Sequence, residues 1–249
     1  MKLHAIKTEL RRILPLRAQF LQENNFQIRY NACHERGWSD SYLLTCDGGE
    51  AGYGSVRGQE VAGRDTVFEF YVKPALREHA SALFHELLSA SRVTFIECQS
   101  NDRLLSAMMA KFGHNVRSEV ALFEAHTTTE LAMPGVVFRP RSSSDRIFAH
   151  SGEPVGDHVL EAGGEVVATG GFLTHYNPPF ADLYLEVAQP HRRKGLGAFL
   201  VQEIIKQCYA AGRVPAARCN AGNKASKATL VKAGLRECGF MLLGEVKRG

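Results

Sequence analysis

The sequence is short of the features that mark several large protein classes. It has no run of about 18 apolar residues, so no membrane-spanning helix is expected. Its start, MKLHAIKTEL, lacks the apolar stretch of a signal peptide. The six cysteines, at 33, 46, 98, 208, 219 and 238, include no CxxC pair. A zinc site or dithiol redox motif is therefore not expected, and free thiols in a reducing, cytoplasmic setting are. His85-Glu86-Leu87-Leu88-Ser89 places a serine where a zinc-protease helix needs its second histidine, so no metal is expected. Net charge is only +4, with a pI near 8.7, and no basic stripe interleaved with aromatics accompanies it. Nucleic acid is thus not an expected partner. No GxxxxGK[ST] loop occurs. A GxGxxG loop fails because position 200 is Leu.

What remains is a globular composition, 45% hydrophobic and 22% charged over 249 residues, enough for two domains of about 100–150 residues. The first half reads as an α/β order: strand, helix, hairpin, strand, helix, strand, helix, strand. TELRRILPLRAQFLQEN has near-helical apolar spacing, with Pro15 as an expected kink. Asp47-Gly48-Gly49 marks a hairpin, and TVFEFYV, from Thr66 to Val72, is β-branched and aromatic. ALREHASALFHELLSA reads as a helix, VTFIEC as a strand and SEVALFEA as another. NDRLLSAMMAKFG reads as a helix with Asn101 as N-cap and Gly113 as its stop. The polar stretch HTTTELAMPG places a boundary between domains at 1–125 and 126–249.

The second half opens with VVFRP and shows no strong helix before Gly152. A hairpin turning at Gly163-Gly164 follows, then the strand ADLYLEVA, a helix after PHRRKGLGAFL, a strand around PAARCN, the helix NKASKATLVKAG and the strand RECGFMLLGEV. The two halves repeat one order. Val72 precedes Arg77 by five residues and Val187 precedes Arg192 by five, at an offset of 115. Asn101 and Gly113 correspond to Asn223 and Gly234 at 121–122. A period of this length indicates duplicated domains, since solenoid repeats run to about 20–50 residues.

PHRRKGLGAFL puts glycines and positive charge at a helix mouth. The first helical N–H groups lack intrahelical partners, and the helix dipole is positive there, so the terminus suits an anion. Gly195 and Gly197 let a phosphate approach the backbone, and Arg192, Arg193 and Lys194 add charge at the rim. A glycine-containing turn beside a solvated basic face is the plainer reading of the same residues.

VAQPHRRKGLGA resembles the acyl-CoA signature of the GNAT superfamily of N-acetyltransferases, R/Q-x-x-G-x-G/A after a strand ending in Val. Pro190 stands two residues before Arg192, where the family usually has three. Asn223, Ser226, Gly234 and Leu235 match the second family signature in spacing. The motifs cover residues 137–249, and residues 1–125 share only the element order. The resemblance implies two tandem GNAT-like domains with a mixed α+β sheet. It implies acetyl-CoA as acyl donor, held by the amides of Arg193, Lys194, Gly195, Leu196, Gly197 and Ala198. It further implies that the strand ending at Val187 splays from the strand near Arg218, pantetheine bonding to backbone near Val187. Asn223 and Ser226 would lie near the pantetheine end, with helix capping as the simple alternative role of Asn223.

Acyl transfer to an amine needs a base, a polarised carbonyl and a leaving thiolate. Asp182 and Glu186 alternate onto one strand face with Tyr184 and are the candidate catalytic carboxylates. His175 and Tyr176, on the preceding loop, are further candidates. A backbone N–H near Val187 can serve the carbonyl. The family often has Tyr where this chain has Leu230; a thiol pKa near about 8.5 lets CoA leave with modest help. The N-terminal REHASA carries Ala80 and Ala82 in place of the glycines, and Glu78 and His79 in place of Arg193 and Lys194. The resemblance therefore implies a degenerate first domain that walls the acceptor pocket. Trp38, with His34, Glu35 and Asp40, is a candidate for that wall or an ordinary aromatic anchor. The expected function is an acyltransferase of the EC 2.3.1 class acting on the amine of a small molecule or peptide. A non-catalytic acyl-CoA sensor is the alternative.

Overall fold

The computed structural model describes residues 1–25, 27 and 30–247. In chain order it contains β1 (Leu3–Thr8), α1 (Leu10–Glu23), α2 (Tyr30–Glu35), β2 (Ser39–Cys46), β3 (Gly49–Arg57), β4 (Thr66–Val72), α3 (Ala80–Ser91), β5 (Phe95–Gln99), α4 (Arg103–Phe112) and β6 (Gly113–Ala125). There follow β7 (Val136–Pro140), β8 (His158–Ala162), β9 (Glu165–Leu173), β10 (Phe180–Val187), α5 (Leu196–Ala210), β11 (Val214–Asn220), α6 (Lys224–Lys232) and β12 (Leu235–Val246). The chain divides into two compact units, Met1–Glu119 with Gly239–Gly249, and Val120–Cys238. The sequence boundary at 125/126 lies at the end of β6. The compact units divide inside β6 and again inside β12.

In the first unit the strand order is β1-β2-β3-β4-β5-β12. β4 and β5 run parallel, while β1–β2, β2–β3, β3–β4 and β5–β12 are antiparallel. The turn between β2 and β3 uses Asp47 at φ 48° and Gly48 at φ 83°, the left-handed pair that a two-residue hairpin requires. One sheet face packs on α3 and α4 through Leu83, Phe84, Leu87, Leu105 and Met109, the apolar stripe of two amphipathic helices. The other carries Phe20 of α1 edge-on to Tyr53 and Tyr71. Buried between them is Glu69. Its carboxylate accepts from Arg17 Nε and Nη2, from His34 Nε2 at 2.9 Å and from the Tyr53 hydroxyl at 3.0 Å. Burial alone would raise its pKa; Arg17 and His34 outweigh that and hold it at about 2. His34 is therefore an anchor of α2 on the sheet. Trp38 lies under the Arg36 guanidinium, and Asp40 pairs with Lys7 and Arg64.

The expected N-cap of α4 is corrected. Asp102 caps the helix, accepting from the Leu105 amide at 3.0 Å. Asn101 lies one residue earlier and donates to the Asn25 carbonyl. With Asp102 matched to Asn223, both the helix start and the terminal glycine repeat at 121.

In the second unit the order is β6-β11-β10-β9-β8-β7, with β10 and β11 parallel and α5 packed on β9, β10 and β11. Gly163 and Gly164, at φ 60° and 82°, turn the β8–β9 hairpin. Leu200, Val201 and Ile204 of α5 are fully buried, as Val159, Leu160 and Val167 are on the strands. Residues 141–157 contain no helix or strand. Among the described residues no helix is long and apolar enough to cross a membrane, and all six cysteines are free.

Candidate active site

The site of the second unit begins where two strands part. β10 and β11 pair at Phe180–Val214, Ala181–Pro215 and Asp182–Ala216, and among the described residues the pairing stops at Asp182. From Leu183 to Val187, β10 is bonded only to β9 among its described pairings. Pro215 sits at the second of the three pairs, where it can donate no ladder bond. The opening leaves one edge of β10, up to Val187, free for a ligand to add to.

At the open end the chain makes a short 3-10 turn, Gln189–His191, and then unwinds. Arg192 is extended at φ −66°, ψ 158°, Arg193 has φ 63° and Gly195 has φ 85°. Gly195 is the N-cap of α5, in a conformation that a side chain disfavours by about 1–2 kcal/mol. The amides that follow, at Leu196, Gly197 and Ala198, belong to the first turn of α5, where no intrahelical acceptor is available. Arg193 and Lys194 are exposed. A Cβ on Gly197 would lie 3.2 Å from the Thr229 methyl and 3.4 Å from Leu185 Cδ1, so glycine is also a packing requirement there. One rim cation was not foreseen: a Cβ on Gly195 would lie 3.8 Å from Lys232 Nζ. Lys232 ends α6, 37 positions away, and only the fold brings it near. Arg192 donates from Nε to the Val187 carbonyl at 2.9 Å.

The two candidate carboxylates have different surroundings. Asp182, 8% exposed, lies at the apex of the opening. His175 Nε2 is 3.1 Å from its Oδ2, and Arg218 Nε is 4.0 Å from the same oxygen. The His175 contact is short, but it does not form a hydrogen bond. Glu186 is equally buried and its oxygens are filled. They accept from the Ser151 amide and hydroxyl and from the Gly152 and Glu153 amides, at 2.8–3.2 Å. Burial would raise its pKa, but these donors hold it at about 2. A carboxylate so placed is a poor proton acceptor. Glu153, which sequence reasoning did not single out, has its pKa raised by burial and then by the charge of Asp182. Tyr176 is buried, and Leu230 is a 2%-exposed core residue of α6. Asn223 caps α6, accepting from the Ser226 amide at 3.0 Å. Among the described residues no group of three or more His, Cys, Asp or Glu is placed to hold a metal.

The first unit has a related opening. β4 and β5 pair only at Thr66–Phe95 and Val67–Ile96. Val67 lies 115 positions before Asp182, so the strands part at the same point of the repeat. A cavity of about 590 Å³ is lined there by Phe70, Tyr71, Arg77, Asn101 and Leu104. The mouth differs. A 3-10 turn runs from Pro74 to His79 straight into α3, Ala80 has φ −54°, and the Arg77 guanidinium is paired with Glu23.

Residues 121–235 match the model of the acetyltransferase (GNAT) family, whose members generally transfer acyl groups from acyl-CoA. The whole chain has the fold of several solved structures. An acetyltransferase of the GNAT family from Colwellia psychrerythraea aligns with a TM-score of 0.75 and 13% identity, over 99% of this chain and 100% of that one. A tandem GNAT protein from the clavulanic acid biosynthesis pathway aligns with a TM-score of 0.64 and 11% identity, over 100% of both chains. A GCN5-related N-acetyltransferase from Sphaerobacter thermophilus aligns at 0.56 and 13%, over 99% and 96%. No curated protein matches the chain.

Proposed function

We propose that the chain is an N-acetyltransferase that moves the acetyl group of acetyl-CoA to the amine of a small molecule or peptide, with the chemistry in the second unit. The observation that carries the reading is the parting of β10 and β11 just beyond Asp182, beside the left-handed Gly195 at the mouth of α5. The amides from Arg193 to Ala198 cradle the pyrophosphate, and Arg192, Lys194 and Lys232 lend charge. Pantetheine adds to the free edge of β10 as far as Val187. The thioester is then delivered to the apex of the opening, where Asp182 is placed to accept a proton from the amine, directly or through water. The amine nitrogen bonds to the acetyl carbon, a backbone N–H on the freed edge of β10 beyond Asp182 stabilises the oxyanion, and the carbon–sulfur bond breaks to release CoA thiolate. His175, beside Asp182, steadies that carboxylate. Leu230 offers no proton to the thiolate, which leaves unaided or takes one from solvent.

The test is thiol release from acetyl-CoA across a panel of amines. Asp182→Asn should lower turnover by on the order of 10²–10⁴ while calorimetry shows CoA still binding. A rate within about threefold of wild type would remove Asp182 from the mechanism. CoA binding without thiol release on any amine would favour the second reading, an acyl-CoA sensor, to which the buried Leu230 lends support.

A further inference from the structure

Residues 141–157 form the long connection between β7 and β8; Arg139 holds its start at Asp145, Thr169 holds its end at Gly156, and its middle is fastened to the sheet at one carboxylate. Glu186 Oε1 accepts from the Ser151 amide at 3.0 Å and its hydroxyl at 2.8 Å; Oε2 accepts from the Gly152 and Glu153 amides, each at 3.2 Å. Three successive amides turned on one anion form a nest, a favourable site for negative charge. His150 extends the attachment. Its Nδ1 is 3.7 Å from Oε2, its Nε2 is 3.1 Å from the Thr169 hydroxyl, and its ring stacks on Phe148 at 4.7 Å. From the other side, Arg192 Nη2 lies 3.5 Å from Oε1 while its Nε holds the Val187 carbonyl.

A carboxylate that only anchored a loop would need the nest and nothing more. Glu186 also touches Arg192, the first residue of the unwound segment before α5. The segment it fastens carries Glu153, whose carboxyl is within electrostatic reach of Asp182. We infer that Glu186 is a positioning residue, coupling the segment His150–Glu153 to the CoA loop through Arg192, so that occupancy of the loop tightens the wall beside Asp182. This inference rests on the acyl-CoA reading above.

Hydrogen exchange of the full chain tests it with CoA itself as the probe. Without CoA, Glu186→Gln should speed exchange in residues 148–156 by about tenfold or more and leave α3 and α5 unchanged, because an amide cannot accept from all four donors. Ser151→Ala, which keeps the charge and loses one donor, should give a smaller rise in the same segment. With saturating CoA, wild type should show about threefold or greater protection of 148–156, and Glu186→Gln should show none although CoA binds. Unchanged exchange in the variants, or CoA-dependent protection that survives Glu186→Gln, would overturn the role. A general rise across the second unit in both variants would do the same, because it would make Glu186 a stability residue only. If CoA fails to bind wild type, the acyl-CoA reading falls and the coupling with it, while the exchange without CoA still decides whether Glu186 fastens the segment.

Discussion

The mouths of α3 and α5 start alike and then diverge. Each follows a parallel strand that parts from its neighbour at the same point of the repeat. Each has an arginine five residues past the strand end whose Nε donates back to the last strand carbonyl: Arg77 to Val72 at 3.3 Å and Arg192 to Val187 at 2.9 Å. The arginine is thus a latch on the strand end in both units. What separates the two is the backbone after it. In the second unit the chain passes through φ 63° at Arg193 and φ 85° at Gly195 before α5 begins. In the first it coils without interruption from Pro74 into α3, with no left-handed residue to unwind the turn before the helix. The first unit keeps the space, a cavity of about 590 Å³, without the cradle. Val67 stands where the second unit has Asp182, the proposed base.

The strongest test of this contrast imports the residues of the first mouth into the second. In Gly195→Ala/Gly197→Ala the first methyl meets the φ +85° backbone and the second presses on the Thr229 methyl. The strain is relieved most easily by coiling the loop as Pro74–His79 is coiled. CoA affinity by calorimetry should fall on the order of 10²-fold, with the folded state confirmed by an unchanged circular-dichroism spectrum. An unchanged affinity would mean that the left-handed turn is not what receives the phosphate.

How much of this could be read from residues alone varies with the range of the contacts. β4 came through because an unbroken β-branched and aromatic run has a local signature, and the hairpins at Asp47-Gly48 and Gly163-Gly164 did because φ > 0 selects those residue types. The glycine spacing pointed to the α5 mouth for the same reason. The six-residue α2 was not foreseen; six residues are too few to show a helical period. The cap of α4 was misplaced by one because Asn101 and Asp102 are both good caps and only the fold chooses. Glu186 and Asp182 looked equivalent on an alternating strand. Their difference lies in a loop more than 30 residues away, with no periodicity to betray its path. Glu69 was equally silent, since its partners Arg17 and Tyr53 lie 52 and 16 residues off.

A second test asks whether the shared arginine has the same meaning in both units. Arg192→Ala removes a cation from the phosphate rim and should weaken CoA binding by about tenfold, less at high salt, where exposed charges are screened. Arg77→Ala breaks a pair with Glu23 at the mouth of the first cavity and should leave CoA affinity within about twofold, with one CoA per chain. Equilibrium titration gives both numbers. Loss of binding from Arg77→Ala alone would reverse the assignment of roles to the two units.

The reverse import should change binding least, and for that reason it is informative. Ala80→Gly/Ala82→Gly gives the first mouth the R-x-x-G-x-G pattern in full. If the pattern were sufficient, a second CoA would bind over the existing cavity. The geometry argues otherwise. The winding is set upstream, where Pro74 begins a six-residue 3-10 turn and Arg77 is held by both the Val72 carbonyl and Glu23. Glycines at 80 and 82 permit a left-handed turn but do not remove the contacts that favour the coil, and Glu78 would still repel a phosphate. Ala80 is also 3% exposed within the core cluster of the first unit, so its methyl is lost as well. Stability in denaturant should drop by about 1 kcal/mol per glycine, somewhat more at position 80, and titration should still find one CoA per chain. A second equivalent of bound CoA would show that two glycines alone make the cradle, and the contrast between the mouths would then rest on side chains and not on the path of the backbone.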